Sequence, residues 1–183
     1  IIDKLKGEFI MKKVISLILA SCLVLSVFAA CSKKDTDSSS DDASNSAAYD
    51  VAAVAEEIEK AAPVANAGDI DEDYLAWLGI DSESYAAYAG KYCTITPGIG
   101  IVAVVQATDG HADEVKSAFE RRKATIVGEQ RNYDELLSAQ AENGRVVVKG
   151  NYVVFVISGN SESVDDIESD YASIDTAIDK AFN

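Results

Sequence analysis

The run RVVVK-GN-YVVFVIS, residues 145–158, constrains the fold more than any other part of the chain. Two stretches rich in β-branched and aromatic residues flank Gly150-Asn151, a pair that tolerates positive φ. Together they predict a tight β-hairpin with strands over 145–149 and 152–158. A lone hairpin is marginal in water, so further strands are required. Residues 85–92 and 99–107 supply a second pair, the latter carrying Ile101-Val102-Ala103-Val104-Val105, and Thr96-Pro97-Gly98 marks the turn between them.

Helical spacing accounts for much of the remaining apolar residues. Val51, Val54, Ala55 and Ile58 predict a helix over 50–62, stopped by Pro63, and a short helical piece over 73–78 is closed by Gly79. Val115, Phe119 and Ile126 share a face of a helix over 113–129, with Thr108 or Asp109 available as its N-cap. Val164, Ile167, Tyr171, Ile174 and Ile178 predict a last helix over 164–182. The order α-β-β-α-β-β-α, with the short piece between the first two elements, predicts an α+β domain over 50–183. Its core is about four antiparallel strands in two hairpins, with helices packed on one face.

The start of the chain is of another kind. Met11 is the only methionine, and Met11-Lys12-Lys13 resembles the basic opening of a signal peptide. Lys6-Gly7-Glu8 can be encoded by a purine-rich ribosome-binding site, so residues 1–10 are expected to be a mis-called leader. Residues 14–30 carry no charge and end in Ala29-Ala30 before Cys31. This block is short for a membrane span, which needs about 20 residues. It suits a signal peptide over 11–30, cleaved between Ala30 and Cys31, with Cys31 taking the lipid. The pattern resembles the bacterial lipobox, although Phe28 stands where leucine is commoner. Leu19-Ala20-Ser21-Cys22 fits that consensus better, but more hydrophobic chain follows it. Cys31 is followed by SKKDTDSSSDDASNS, the polar run an anchor needs. Residues 31–49 are therefore expected to be the lipidated cysteine and a polar tether, with an r.m.s. reach of roughly 25 Å. Two acyl chains hold a protein stably at a membrane where one does not.

Residues 31–183 carry twelve Lys/Arg against twenty-nine Asp/Glu, a net charge near −17. Such a domain is repelled by nucleic acid, anionic wall polymers and anionic membranes, so nucleic-acid binding is excluded and the lipid must do the anchoring. After processing, Cys93 is the only remaining thiol, expected as a buried small hydrophobe, and no intramolecular disulfide is available.

No catalytic constellation is legible. Asp69, Asp71 and Asp73 begin like an EF-hand loop, but Tyr74 and Ile80 occupy the positions that need Gly and Glu. These acids, with Asp81 and Glu83, read as helix caps and solvated charges, and no metal or other cofactor is expected. His111, the only histidine, has no second histidine or nucleophile motif beside it. Gly98-Ile99-Gly100 precedes a strand and is no phosphate loop. Arg121-Arg122-Lys123 points in several directions on a helix and reads as a solvated face or a set of partners for nearby acids. Among the aromatics, Trp77, Tyr85, Tyr88 and Tyr152 are the candidate ligand contacts, since exposed rings stack on sugars or peptides; the alternative is that they close the edge of the core.

The hairpin residues Val146–Ser158, with Lys149-Gly150-Asn151-Tyr152 at the turn, resemble the hallmark of domain-of-unknown-function family 4358 (DUF4358), small lipoproteins of Gram-positive bacteria. Leu78-Gly79-Ile80-Asp81, running on to Tyr85, Tyr88 and Gly90, is similar to a second segment of that family. Val115 through Arg122 to Tyr133 fits more loosely, and Ile126-Val127-Gly128 departs from the usual polar stretch. The resemblance implies a signal, a polar tether and this order of elements, and supplies no activity. The expectation is a non-enzymatic binding or interaction module, lipid-anchored at the extracellular face of the cell membrane. Its partners would be membrane lipid through Cys31 and an envelope protein or wall component. An accessory subunit of a membrane complex, or an enzyme of unrecognised motif, is the alternative.

Overall fold

The computed structural model describes residues 48–183. The signal-like segment, the cleavage residues Ala30 and Cys31, and the polar run to residue 47 lie outside the described residues.

Helix α1 (Val51–Glu59) starts where Asp50 accepts a hydrogen bond from the Ala52 amide at 2.9 Å, and it buries Val51, Val54, Ala55 and Ile58. Strand β1 (Ala67–Asp69) is followed by helix α2 (Glu72–Trp77), whose N-cap Asp71 accepts from the Tyr74 amide at 2.8 Å. Its end is a Schellman turn. Gly79 has φ +77°, its amide bonds the Ala76 carbonyl, and the Ile80 amide bonds that of Leu75, with Leu75 and Ile80 both buried. Strands β2 (Tyr85–Cys93) and β3 (Ile101–Ala107) form the first hairpin. Helix α3 (Ala112–Gln130) and helix α4 (Glu135–Asn143) lead to the second hairpin, β4 (Arg145–Lys149) and β5 (Tyr152–Ile157), which turns at Gly150 with φ +63°. A 3₁₀ turn at Val164–Asp166 opens into helix α5 (Ile167–Ala181).

The sheet has five strands in the order β1-β2-β3-β5-β4, every neighbour antiparallel. The α+β class and paired hairpins agree with expectation, and two elements are additional. Three-residue β1 extends the sheet beyond β2, and α4 stands where no helix was predicted. Thr108 and Asp109 do not cap α3: His111 occupies the N-cap position without a side-chain bond to a backbone amide of the first turn, and Thr108 donates to the Glu83 carbonyl instead.

The helices lie on both faces of the sheet, not one. Ile101, Ala103, Val105, Val153, Phe155 and Ile157 face a core with Leu75, Val115, Phe119 and Ala141. Val102, Val104, Tyr152, Val154 and Val156 face a second core with Val54, Ile58, Tyr171, Ile174 and Ile178. The physical reason is in β3 and β5. They are apolar at nearly every position, so both faces must be covered, as in buried central strands. Phe155 stacks on Phe119 with centroids 5.2 Å apart, and burying such a ring is worth about 1.5–3 kcal/mol.

Tyr49, placed by sequence at the end of the tether, belongs to the domain. Its ring packs on Tyr152 and Phe182, its backbone bonds the Tyr152 hydroxyl, and its own hydroxyl donates to the Phe182 carbonyl at 2.8 Å.

Candidate functional site

Where α2 ends beside the β2–β3 loop, the first core opens into a cavity of about 420 Å³. Its walls are Tyr74 and Trp77 of α2, the chain from Tyr92 to Ile101, and Arg122, Ile126, Glu129 and Gln130 of α3. The size falls within the usual range for small-molecule sites.

The aromatic wall follows from local structure. Leu75 turns into the core, so Trp77, two residues on in the last turn of α2, faces outward and is 63 % exposed. Tyr74 stacks on Tyr92 of β2 with centroids 4.2 Å apart, and its ring lies 5.6 Å from that of Trp77. Arg122 reaches across from α3 to place its guanidinium carbon 4.8 Å from the Trp77 ring centroid. Burial pushes the Tyr74 hydroxyl above its usual pKa, and the Arg122 cation partly offsets this.

The polar side comes from α3. Gln130 is 9 % exposed, and its Oε1 is buried without a hydrogen-bond partner in the protein, as is Arg122 Nε. Glu129 stands 3.9 Å from the Arg122 guanidinium and is largely exposed. The loop adds Thr94 to Gly100, within which the Cys93 thiol donates to the Ile95 carbonyl at 3.5 Å. Cys93 is half-buried and lines the cavity, not a fully buried core hydrophobe as its sequence context predicted.

Of the four aromatics predicted as ligand contacts, only Trp77 lines this cavity. Tyr85 and Tyr88 form an edge-to-face pair 5.3 Å apart that packs against the first core. Tyr152 is 2 % exposed and lies in the second core, its hydroxyl committed to Tyr49, so it offers no surface contact. Arg122, which the sequence marks as a solvated cation or a partner for nearby acids, and Gln130, which the sequence does not single out, both line the cavity. The signal was present in the spacing: Val115, Phe119, Arg122, Ile126 and Gln130 fall at 4, 3, 4 and 4 residues, a core stripe with two polar members.

The other charged candidates have structural partners. Asp71 caps α2, and His111 Nδ1 lies 2.9 Å from Glu114, whose carboxyl is held below its usual pKa by His111 first and then by the Ser84 hydroxyl. Lys123 donates to the Gly144 carbonyl at 2.6 Å, and burial lowers its ammonium pKa. Among the described residues, no group of three His, Cys, Asp or Glu is placed to share a metal ion. No helix among them is long and apolar enough to cross a membrane.

The family model described as domain of unknown function (DUF4358) matches residues 57–158. That span covers more than half of the chain, all five strands and every residue lining the cavity. The chain belongs to this family. Comparison with curated proteins and with solved structures returns no match.

Proposed function

We propose that the protein is an extracytoplasmic lipoprotein, anchored through Cys31, whose domain is a non-catalytic binding module at the cell envelope. The observation that carries the binding reading is the cavity of about 420 Å³ beside Trp77, where an exposed aromatic wall adjoins Arg122, Glu129 and Gln130 of α3. The polar groups there are a guanidinium, an amide and a carboxylate, a set suited to holding a molecule. Anchoring is supported by the charge-free residues 14–30, the small residues before Cys31 and the polar run after it. The acidity of the chain leaves the lipid as its attachment.

Fractionation of cells expressing a Cys31→Ser variant tests the anchor. Loss of lipid labelling, with the protein released or retained with an uncleaved signal, is the expected result. Continued lipidation would move the anchor to Cys22. The second reading, an accessory subunit of a membrane complex, is favoured by Tyr133. This residue is 81 % exposed at the α3–α4 corner and shares a shallow depression with Val164. Co-purification of a membrane complex that a Tyr133→Ser variant no longer captures would establish it.

A further inference from the structure

Of the five large apolar side chains exposed among the described residues, two, Trp77 and Ile95, line the same cavity. Tyr74, Tyr92, Ile99 and Ile126 form more of its wall. Apolar and aromatic anchors of this kind sit at the centres of protein interfaces, with polar groups around them. Arg122 already lies over the indole, yet Trp77 remains 63 % exposed, so the ring still presents apolar surface to a partner.

The charge around this mouth is one-sided. Residues 61–90, which carry α2 and Trp77, contain no Lys, Arg or His. They contain Asp69, Asp71, Glu72, Asp73, Asp81 and Glu83, every one exposed. None of the six is in an ion pair with a described residue; the ion pairs draw their acids from other segments. Helix α2 has six residues, about 9 Å of axis, so its acids stand within one short helix of Trp77. On the α3 side Arg122 is engaged by Trp77 and Glu129, and Arg121 reaches the Gly79 turn. With Glu129, seven acids stand against these two arginines, and the face is strongly negative.

Charge complementarity then selects the occupant. An anionic partner is repelled, and a second copy of this acidic chain is repelled likewise. A lone metal ion does not suit acids of which no three converge, and it would leave the apolar mouth uncovered. Acids spread along α2 and the turn after it fit cations spaced along a chain, and the cavity takes an apolar group between them. We propose that this face docks a basic segment of a partner protein, one apolar side chain entering the cavity beside Trp77 and Ile95 while flanking Lys or Arg residues meet the acids of α2 and its following turn. The assignment rests on the reading of the domain as a binding module and names the class of its partner.

Trp77 is the only tryptophan in the chain, so its emission reports on this face alone. The full chain in detergent is panned against a display library of random peptides, and the enriched peptides are titrated while that emission is followed. Enriched sequences are expected to carry Lys or Arg on both sides of a large apolar residue. Their binding should weaken about tenfold or more in roughly 1 M salt, where the screening length falls to about 3 Å. The double variant Glu72→Gln/Asp73→Asn and, separately, Ile95→Ser should weaken it by a similar factor while their melting temperatures do not fall. Basic peptides that bind both folded variants as tightly as the wild type overturn the placement. Enriched peptides without net positive charge, or binding unmoved by salt, overturn the basic class and leave the binding reading standing. An unenriched library overturns the polypeptide assignment, and silence of Trp77 toward a whole envelope digest as well overturns the binding reading.

Discussion

Arg122 lays its guanidinium over the indole of Trp77, 4.8 Å from carbon to ring centroid, and so ties the middle of α3 to the last turn of α2. Such a contact is worth about 0.5–1 kcal/mol at an exposed site and more when desolvated. Arg122 also carries charge toward Tyr74 and Glu129. Arg122→Ala should therefore lower stability by about 1–2 kcal/mol in urea unfolding and shift the Trp77 emission maximum. Arg122→Lys keeps the charge but loses the planar stack, so it should recover only part of the loss. An unchanged emission spectrum in the alanine variant would show that the two side chains do not meet in solution.

Tyr152 closes the N-terminal end of the domain with a two-way bond. Its hydroxyl accepts from the Tyr49 amide at 2.9 Å and donates to the Tyr49 carbonyl at 3.1 Å. Tyr152→Phe removes both bonds while keeping the buried ring, leaving two backbone groups to find water. A loss of about 1–3 kcal/mol is expected, with faster hydrogen exchange concentrated at Tyr49 and the start of α1. Uniformly faster exchange would mean that the bond supports the whole fold and not this end.

Gly90 sits in the middle of β2 at φ +139°, where a side chain would overlap the Val102 carbonyl oxygen of β3 and come within 2.9 Å of the Ala103 Cα. Backbone, unlike a flexible side chain, cannot yield cheaply. Gly90→Ala should destabilise the protein by roughly 2–4 kcal/mol, measured as a fall in the thermal midpoint. Gly110 has a positive φ of +84° but nothing near its hypothetical Cβ. Gly110→Ala should cost about 1 kcal/mol from backbone strain alone, and the difference between the two variants isolates the clash.

The legible parts of this fold were those whose sequence pattern matches one element and one exposure. The hairpin at Gly150 and the apolar stripes of α1 and α5 are of that kind. Strand β1 was not readable because Ala67-Gly68-Asp69 has neither length nor alternation. Helix α4 was missed because its residues ELLSAQAEN bury Ser138, Gln140 and Ala141, which leave no apolar stripe. Both faces of β3 and β5 are apolar in the sequence, and that continuity, not the count of hairpins, was the evidence for helices on two sides. The cavity was half readable. Trp77 is conspicuous, whereas Arg122 and Gln130 look like solvated helix residues until their register with Phe119 and Ile126 is counted.

Glu57 joins α1 to the end of α5, with Lys180 2.5 Å from one carboxylate oxygen and Lys60 2.8 Å from the other. Lys180 first and Lys60 second hold its carboxyl down at about 2, from an ordinary 4.5. A carboxyl whose pKa is depressed by folding adds stability above its unfolded value and loses it as pH falls through the folded one. The contribution of Glu57 is therefore complete at neutral pH and fades between pH 4.5 and about 2. The urea midpoint of the wild type should exceed that of Glu57→Gln at pH 7, with the gap closing across that acid window. Lys180→Met should reproduce most of the gap, because Lys180 is the larger cause. High salt should narrow it at pH 7, since the pair lies at the surface within reach of counterions. A gap that stays constant down to pH 2 would show that Glu57 acts through packing, leaving the ion pair without a part in holding α5 to α1.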